Sequence, residues 1–324
     1  MPYVKRLLDS IYVIRHMTAT SQLNHIDDNA LEYAYSGVSL FRYVYRPKTL
    51  QLESPKPRFH PLHTLSGRLV SGFRPIDHPW HHGLAMTFAE LSGENFWGGP
   101  TYVRGRGYRQ LRNNGTQRHL AWIDARLDEG RPHLHEQLEW VTQAGETWLA
   151  EERTVDVTRV DEAQSCWALS FQTKLTNCSS RTLDFGSPTT NGRPAAGYGG
   201  LFWRGPRSFA GGRILLADGT EGGLFADGTE GEEDVMGRRS PWLAYYGRHG
   251  NSGGSSTILF VDDPSNPRYP TQWFARCGAT PVVSFALTFD VEYPLPEGET
   301  LALTHHIVFA DGEWSVPQIE AVVG

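Results

Sequence analysis

Apolar and polar residues alternate along most of this chain, in runs too short for helices. Residues 83–91 set Leu84, Met86 and Phe88 against Ala85, Thr87 and Ala89. That is the period of two that sends successive side chains to opposite faces of a strand. Residues 135–141, 148–157, 167–176, 256–261, 282–291 and 300–309 read the same way, and 30–45 read as two short strands around Ser36-Gly37. Glycine and proline, 34 and 20 in number, are spread over the whole length and supply the turns. Helix signals are scarce. Val4, Leu7, Leu8, Ile11 and Ile14 have helical spacing at the N-terminus, mixed with Lys5, Arg6 and Arg15. The pattern predicts an all-β protein: one large antiparallel β-sandwich with few short helices, spanning 28–324. Residues 1–27 are expected to form a partly disordered amphipathic extension, with Met17 an alternative start.

Composition narrows the partners. The 324 residues carry a net charge of −6 and no long run of lysine and arginine, so duplex DNA and anionic membranes are not expected. No stretch approaches the ~20 apolar residues of a membrane span. The N-terminus lacks the apolar core of a secretory signal. Cys166, Cys178 and Cys277 are odd in number and widely spaced, which reads as reduced thiols in a cytoplasmic protein. The hexapeptide ADGTEG occurs at 217–222 and again at 226–231. Two copies without the calcium-roll glycine pattern read as a duplicated hairpin or loop.

The chemistry concentrates in one stretch, FRPIDHPWHHGL at 73–84. Five of the thirteen histidines, His60, His63, His78, His81 and His82, fall within 23 positions. His60 and His63 are three apart, as are His78 and His81, but Pro61 and Pro79 interrupt both pairs and forbid a helical clamp. Acid–base work needs less geometry: His78, His81 or His82 could transfer protons near neutrality, with Asp77 orienting a ring. The alternative is one divalent transition metal on His60, His63, His78 and His81.

Other segments offer binding groups. GYGGLFWR carries Tyr198, Trp203 and Arg204, and NPRYPTQWFAR carries Arg268, Trp273 and Arg276. Trp97, Trp203 and Trp273 could stack on a sugar ring, Arg204 and Arg276 could hold substrate oxygens, and His60, His63 and Tyr198 could complete the binding set. Glu151 and Arg153, two apart in a strand, either pair with each other or line a concave sheet face. Of His305 and His306, one faces inward. Nucleophile-elbow, nucleotide and flavin signatures are absent.

The segments RPRFHPLHTLSGRLVSGFRPIDHPWHHGL and NFWGG resemble a bacterial domain family labelled "methane oxygenase PmoA" and treated as of unknown function. GYGGLFWRGPRSF, PWLAYYG, NPRYPTQWFAR and HHIVFADG continue the likeness, over roughly residues 28–315. A methane oxygenase would need spanning helices, which this chain lacks. The resemblance implies instead a soluble β-rich protein encoded beside sugar-type oxidoreductases and other carbohydrate catabolic genes. The strand pattern is also similar to the galactose mutarotase-like supersandwich, whose members bind sugars on a concave sheet and use histidines and a carboxylate as acid and base.

Together these readings predict a cytoplasmic carbohydrate-active enzyme acting on a sugar or oxidised sugar derivative by epimerisation, β-elimination or glycoside cleavage, with no cofactor. The rival readings are a metal-dependent lyase or hydrolase and a non-catalytic carbohydrate-binding or structural protein. The oligomeric state stays open.

Overall fold

A computed structural model describes residues 20–223, 231–250 and 253–323. Within them lie two large sheets of eight and nine strands and two small ones. The eight-stranded sheet runs Ser21–Ile26, Ala30–Tyr35, Val38–Val44, Arg58–Leu62, Leu84–Phe88, Gly199–Arg204, Val282–Phe285, Trp273–Arg276. The nine-stranded sheet runs Glu221–Gly223, Arg213–Leu216, Trp242–Arg248, Ser255–Asp262, Thr300–Asp311, Cys166–Asn177, Thr147–Asp161, Arg131–Val141, Thr116–Asp128. All their pairings are antiparallel. The all-β sandwich expected from the alternation is what forms. Helices are short, Glu232–Val235 and Val316–Val323.

The core lies between the two sheets, where aromatic rings meet across the gap. Phe41 packs on Trp167 at 6.0 Å, Phe88 on Trp140 at 6.1 Å, and Trp203 on Phe260 at 5.6 Å. Each fully buried ring of this kind contributes on the order of 2–3 kcal/mol by leaving water. The nine-stranded sheet covers its outer face with Trp314 and with Ile319 of the C-terminal helix, which pack on Leu259 and Val308.

A charged pair is buried between the sheets. Arg153 Nε donates to Glu151 Oε1 at 2.8 Å, and both side chains are inaccessible. Nη1 of Arg153 reaches the Tyr43 hydroxyl, and Trp140 and Thr173 also donate to Glu151. Of the two readings for this pair, mutual pairing is the one realised. His305 is the inward member of its pair, lying on Phe285 with centroids 4.1 Å apart, while His306 reaches Asp263 at the edge.

One local feature differs from the expected outline, and another agrees with it. Ser21–Ile26, within the stretch expected as an extension, pairs with Ala30–Tyr35 as the edge strand. The first ADGTEG copy closes the hairpin between Arg213–Leu216 and Glu221–Gly223. The second, like residues 1–19, lies outside the described residues apart from Gly231.

The strands that matter for the site are Leu84–Phe88, Gly199–Arg204, Val282–Phe285 and Trp273–Arg276. Most of their residues are buried on both faces. The inner face meets the second sheet; the outer face is covered by loops. One register row on that outer face is Ala85, Phe202, Ser284, Phe274; the next is Arg204, Val282, Arg276.

Candidate functional site

A cleft of about 460 Å³ opens on this outer face. Phe202, Phe274 and Val282 line it from the sheet, His78, Trp80 and His81 from the His-rich loop. Trp97, Tyr198, Tyr108, Arg193, Arg276 and Thr280 also line it.

The His-rich loop is fixed by backbone contacts before its side chains do anything. His78 N–H donates to the Pro75 carbonyl and His81 N–H to the His78 carbonyl, two successive tight turns that use the proline geometry. The loop closes where Gly83 N–H meets the Gly72 carbonyl. Gly83 has φ +59°, and a Cβ there would lie 2.1 Å from the Phe59 carbonyl oxygen. Only glycine fits this approach.

His78 and Asp77 stand at the rim, with His78 Nδ1 2.7 Å from Asp77 Oδ2. The hydrogen bond from His78 holds the Asp77 carboxyl below its ordinary range. An ionised carboxylate only accepts, so Nδ1 carries the hydrogen and Nε2 of the neutral ring keeps its lone pair. The His78 ring stacks on His81 at 4.7 Å. His81 is deeper, edge-on to Phe202 at 5.0 Å and to Trp97 at 5.6 Å. Burial first, with the neighbouring His78 and Arg204 adding to it, holds His81 neutral, with its pKa well below the usual histidine value. Its Nδ1 is buried without a hydrogen-bond partner.

His82 belongs to a different cluster behind the wall. Its Nε2 donates to Glu53 Oε2 at 2.9 Å and to the Pro79 carbonyl at 3.0 Å. Burial keeps it neutral, assisted by the charges of Lys56 and Arg58. Glu53 also takes the Arg74 guanidinium at 2.8 Å. Lys56 donates to the carbonyls of Glu53, Ser54 and Trp97. These three acceptors engage all three ammonium hydrogens, although burial and Arg58 lower its pKa to about 7. The cluster braces the loop that carries Trp97.

The opposite wall is aromatic. Trp97 packs on Tyr198 at 4.5 Å and on Phe202 at 4.4 Å, and Tyr198 meets Phe274 at 5.3 Å. The Tyr198 hydroxyl contacts that of Tyr108 at 2.8 Å, and Arg193 donates to Tyr108 while lying over its ring. Burial pushes the Tyr198 phenol well above its ordinary value.

Of the residues singled out in the sequence, the fold brings His78, His81, Trp97, Tyr198 and Arg276 to the cleft, with Asp77 beside His78 and Arg204 in the adjoining row. His60 binds Ser71 and stacks on Phe73; His63 binds the Ser39 carbonyl. Neither lines the cleft, and His82 serves Glu53. Among the described residues no three His, Cys, Asp or Glu side chains are grouped to hold a metal ion, so the set His60, His63, His78 and His81 does not converge. Trp203 and Trp273, expected to stack on a ligand, are instead fully buried between the sheets, donating to the carbonyls of Val70 and Ser240. Phe202 and Phe274, their neighbours of opposite parity, take the cleft. Tyr108, Arg193, Thr280 and the Glu53–Lys56 brace were not anticipated. Arg193 lies just ahead of the GYGGLFWR segment, but nothing near Tyr108 signals its place.

A model described as a family of unknown function, DUF6807, matches residues 30–324. No curated protein matches the chain. Among solved structures, a TPR-domain containing protein from Parabacteroides distasonis ATCC 8503 aligns with a TM-score of 0.32 at 10% identity, covering 92% of this chain and 55% of that one. The chain thus spans about half the length of that structure, and the likeness is too slight to carry an argument. No helix among the described residues is long and apolar enough to cross a membrane.

Proposed function

As the chain belongs to the DUF6807 family, whose function is unknown, its chemistry has to be read from the cleft, and we propose a cytoplasmic carbohydrate-active enzyme working on a sugar or oxidised sugar derivative by proton transfer. The observation that carries this is the Asp77–His78 pair at the rim of an aromatic-walled cleft of about 460 Å³, within the usual size of small-molecule sites. His78 is the proton-transfer group. Asp77 fixes its tautomer and stabilises the imidazolium when the ring takes up a proton, as an orienting carboxylate does in hydrolytic triads. Aromatic faces of Phe202, Phe274 and Trp97 suit the apolar face of a pyranose ring. Epimerisation, β-elimination and glycoside cleavage all need such a group, and the likeness to PmoA-labelled and galactose mutarotase-like proteins supports the same substrate class.

The test is conversion. Purified protein is incubated with a panel of neutral sugars, uronates, aldonates, sugar phosphates and 3-keto-sugars, and the mixtures are followed by NMR and mass spectrometry. Conversion abolished in His78→Gln supports the reading; a panel left intact by the wild type removes it and favours a binding module.

A further inference from the structure

The polar groups of the cleft are one-sided. Among the described residues that line it there is no aspartate or glutamate, whereas Arg193, Arg276 and His78 are there. A neutral sugar presents hydroxyls that both donate and accept, and arginine can only donate. This lining therefore matches a ligand with a surplus of acceptors.

The sheet register adds a third arginine. Arg204 and Arg276 both pair with Val282, from opposite sides. The three form one row on the outer face, with the arginines two strands apart, a separation of about 10 Å. Arg204 is only 5% exposed, and its Nη1 is buried with no hydrogen-bond partner. Arginine stays charged when buried, so an unmatched guanidinium nitrogen is costly unless a ligand supplies its acceptor. Among the described residues the carboxylate whose charge favours it, Asp77, is committed to His78 at the rim. His81 Nδ1, on which the Arg204 charge acts, is also buried and unpartnered.

We infer that the sugar derivative taken by this cleft carries an oxyanion, carboxylate or phosphate, which docks at the Arg204–Val282–Arg276 row while its ring faces His78. The inference rests on the reading of the cleft as a sugar site and specifies its substrate class.

Binding to wild type, Arg276→Met and Arg204→Met is measured by titration calorimetry at low salt. The probes are glucuronate, gluconate, glucose 6-phosphate, glucose, methyl glucuronate ester, acetate and inorganic phosphate. At least one charged sugar should bind about tenfold or more tighter than its neutral counterpart, and each substitution should remove that advantage. Carboxylates and the phosphate compared with each other identify which oxyanion fits. Arg204→Met should also melt no lower than wild type, since it deletes a charge with an unmatched donor; a large loss of stability would mean that Arg204 serves the fold instead. Neutral sugars binding as tightly as charged ones, or binding indifferent to both substitutions, overturn the inference and leave the sugar reading standing. Acetate and inorganic phosphate binding as well as the charged sugars would keep the oxyanion site and remove the sugar. If none of the sugars binds, both fall.

Discussion

His78 and Asp77 are neighbours in sequence whose side chains also meet, Nδ1 to Oδ2 at 2.7 Å, at the mouth of the cleft. Pro79 follows immediately, and the turn closed by the Pro75 carbonyl sets the backbone that allows the contact. A ring held this way leaves Nε2 as the nitrogen available for proton transfer.

The first expected outcome concerns that pair. Asp77→Asn should lower turnover of the substrate found by the panel about tenfold or more by loosening the ring and its tautomer. His78→Gln should lower it about 10²–10⁴-fold. Both should leave KM close to wild type and melting temperature unchanged, since both side chains are partly exposed. Steady-state kinetics and a thermal melt check this.

Strand parity can be tested with one pair of neighbours. Trp203→Ala should cost about 3–5 kcal/mol, because the indole fills the space between the sheets and donates to Val70. Phe202→Leu keeps an apolar side chain on the cleft face, so it should cost about 1 kcal/mol and weaken ligand binding. Urea unfolding and calorimetry separate the two effects.

That parity marks the limit of what the sequence made legible. The all-β class, most strand positions and the His-rich loop follow from period-two alternation and from proline and glycine placement. Gly199–Arg204, however, is buried at every position. With apolar residues on both faces, alternation no longer says which faces the ligand, and tryptophan looked the better stacking residue than phenylalanine. The same ambiguity hid Phe274 beside Trp273. Tyr108 comes to the cleft from a separate two-stranded hairpin, and Glu53 becomes a buried hub only because Arg74 and His82 arrive from 21 and 29 residues away. Such partnerships are set by tertiary folding and leave no local pattern.

The Glu53 hub should be essential for folding. Its carboxylate is 1% exposed and holds both Arg74 and His82. Glu53→Ala removes the buried acceptor of both, leaving His82 only the Pro79 carbonyl and Arg74 only water, and should cost about 2–3 kcal/mol. Glu53→Gln, which keeps one acceptor, should cost less. Chemical denaturation of both variants gives the order.

Stability should fall with acid. Burial lowers His60 to about 4 from 6.5, with Arg58 adding to the shift, and burial also depresses His81, His82 and His305. Between those two pH values the unfolded chain binds more protons than the native one, so the native state loses stability as pH drops from about 6.5 toward 4. Melting temperature should decline across that window. His305 has both ring nitrogens buried and unpaired, its nearest carboxylate lying 3.7 Å away at Asp262. His305→Leu should therefore stabilise the protein by about 1 kcal/mol at neutral pH and flatten the acid decline.

The central claim is that the cleft performs proton transfer on a sugar derivative through His78. Its most direct test follows the sugar panel in deuterated buffer by NMR, with wild type and His78→Gln side by side. The account predicts that wild type converts one of the sugars, or exchanges a carbon-bound proton in it, and that His78→Gln still binds the compound but is slower by about 10² or more. Equal rates in the two proteins, or a wild type that neither converts nor exchanges any member, would contradict it.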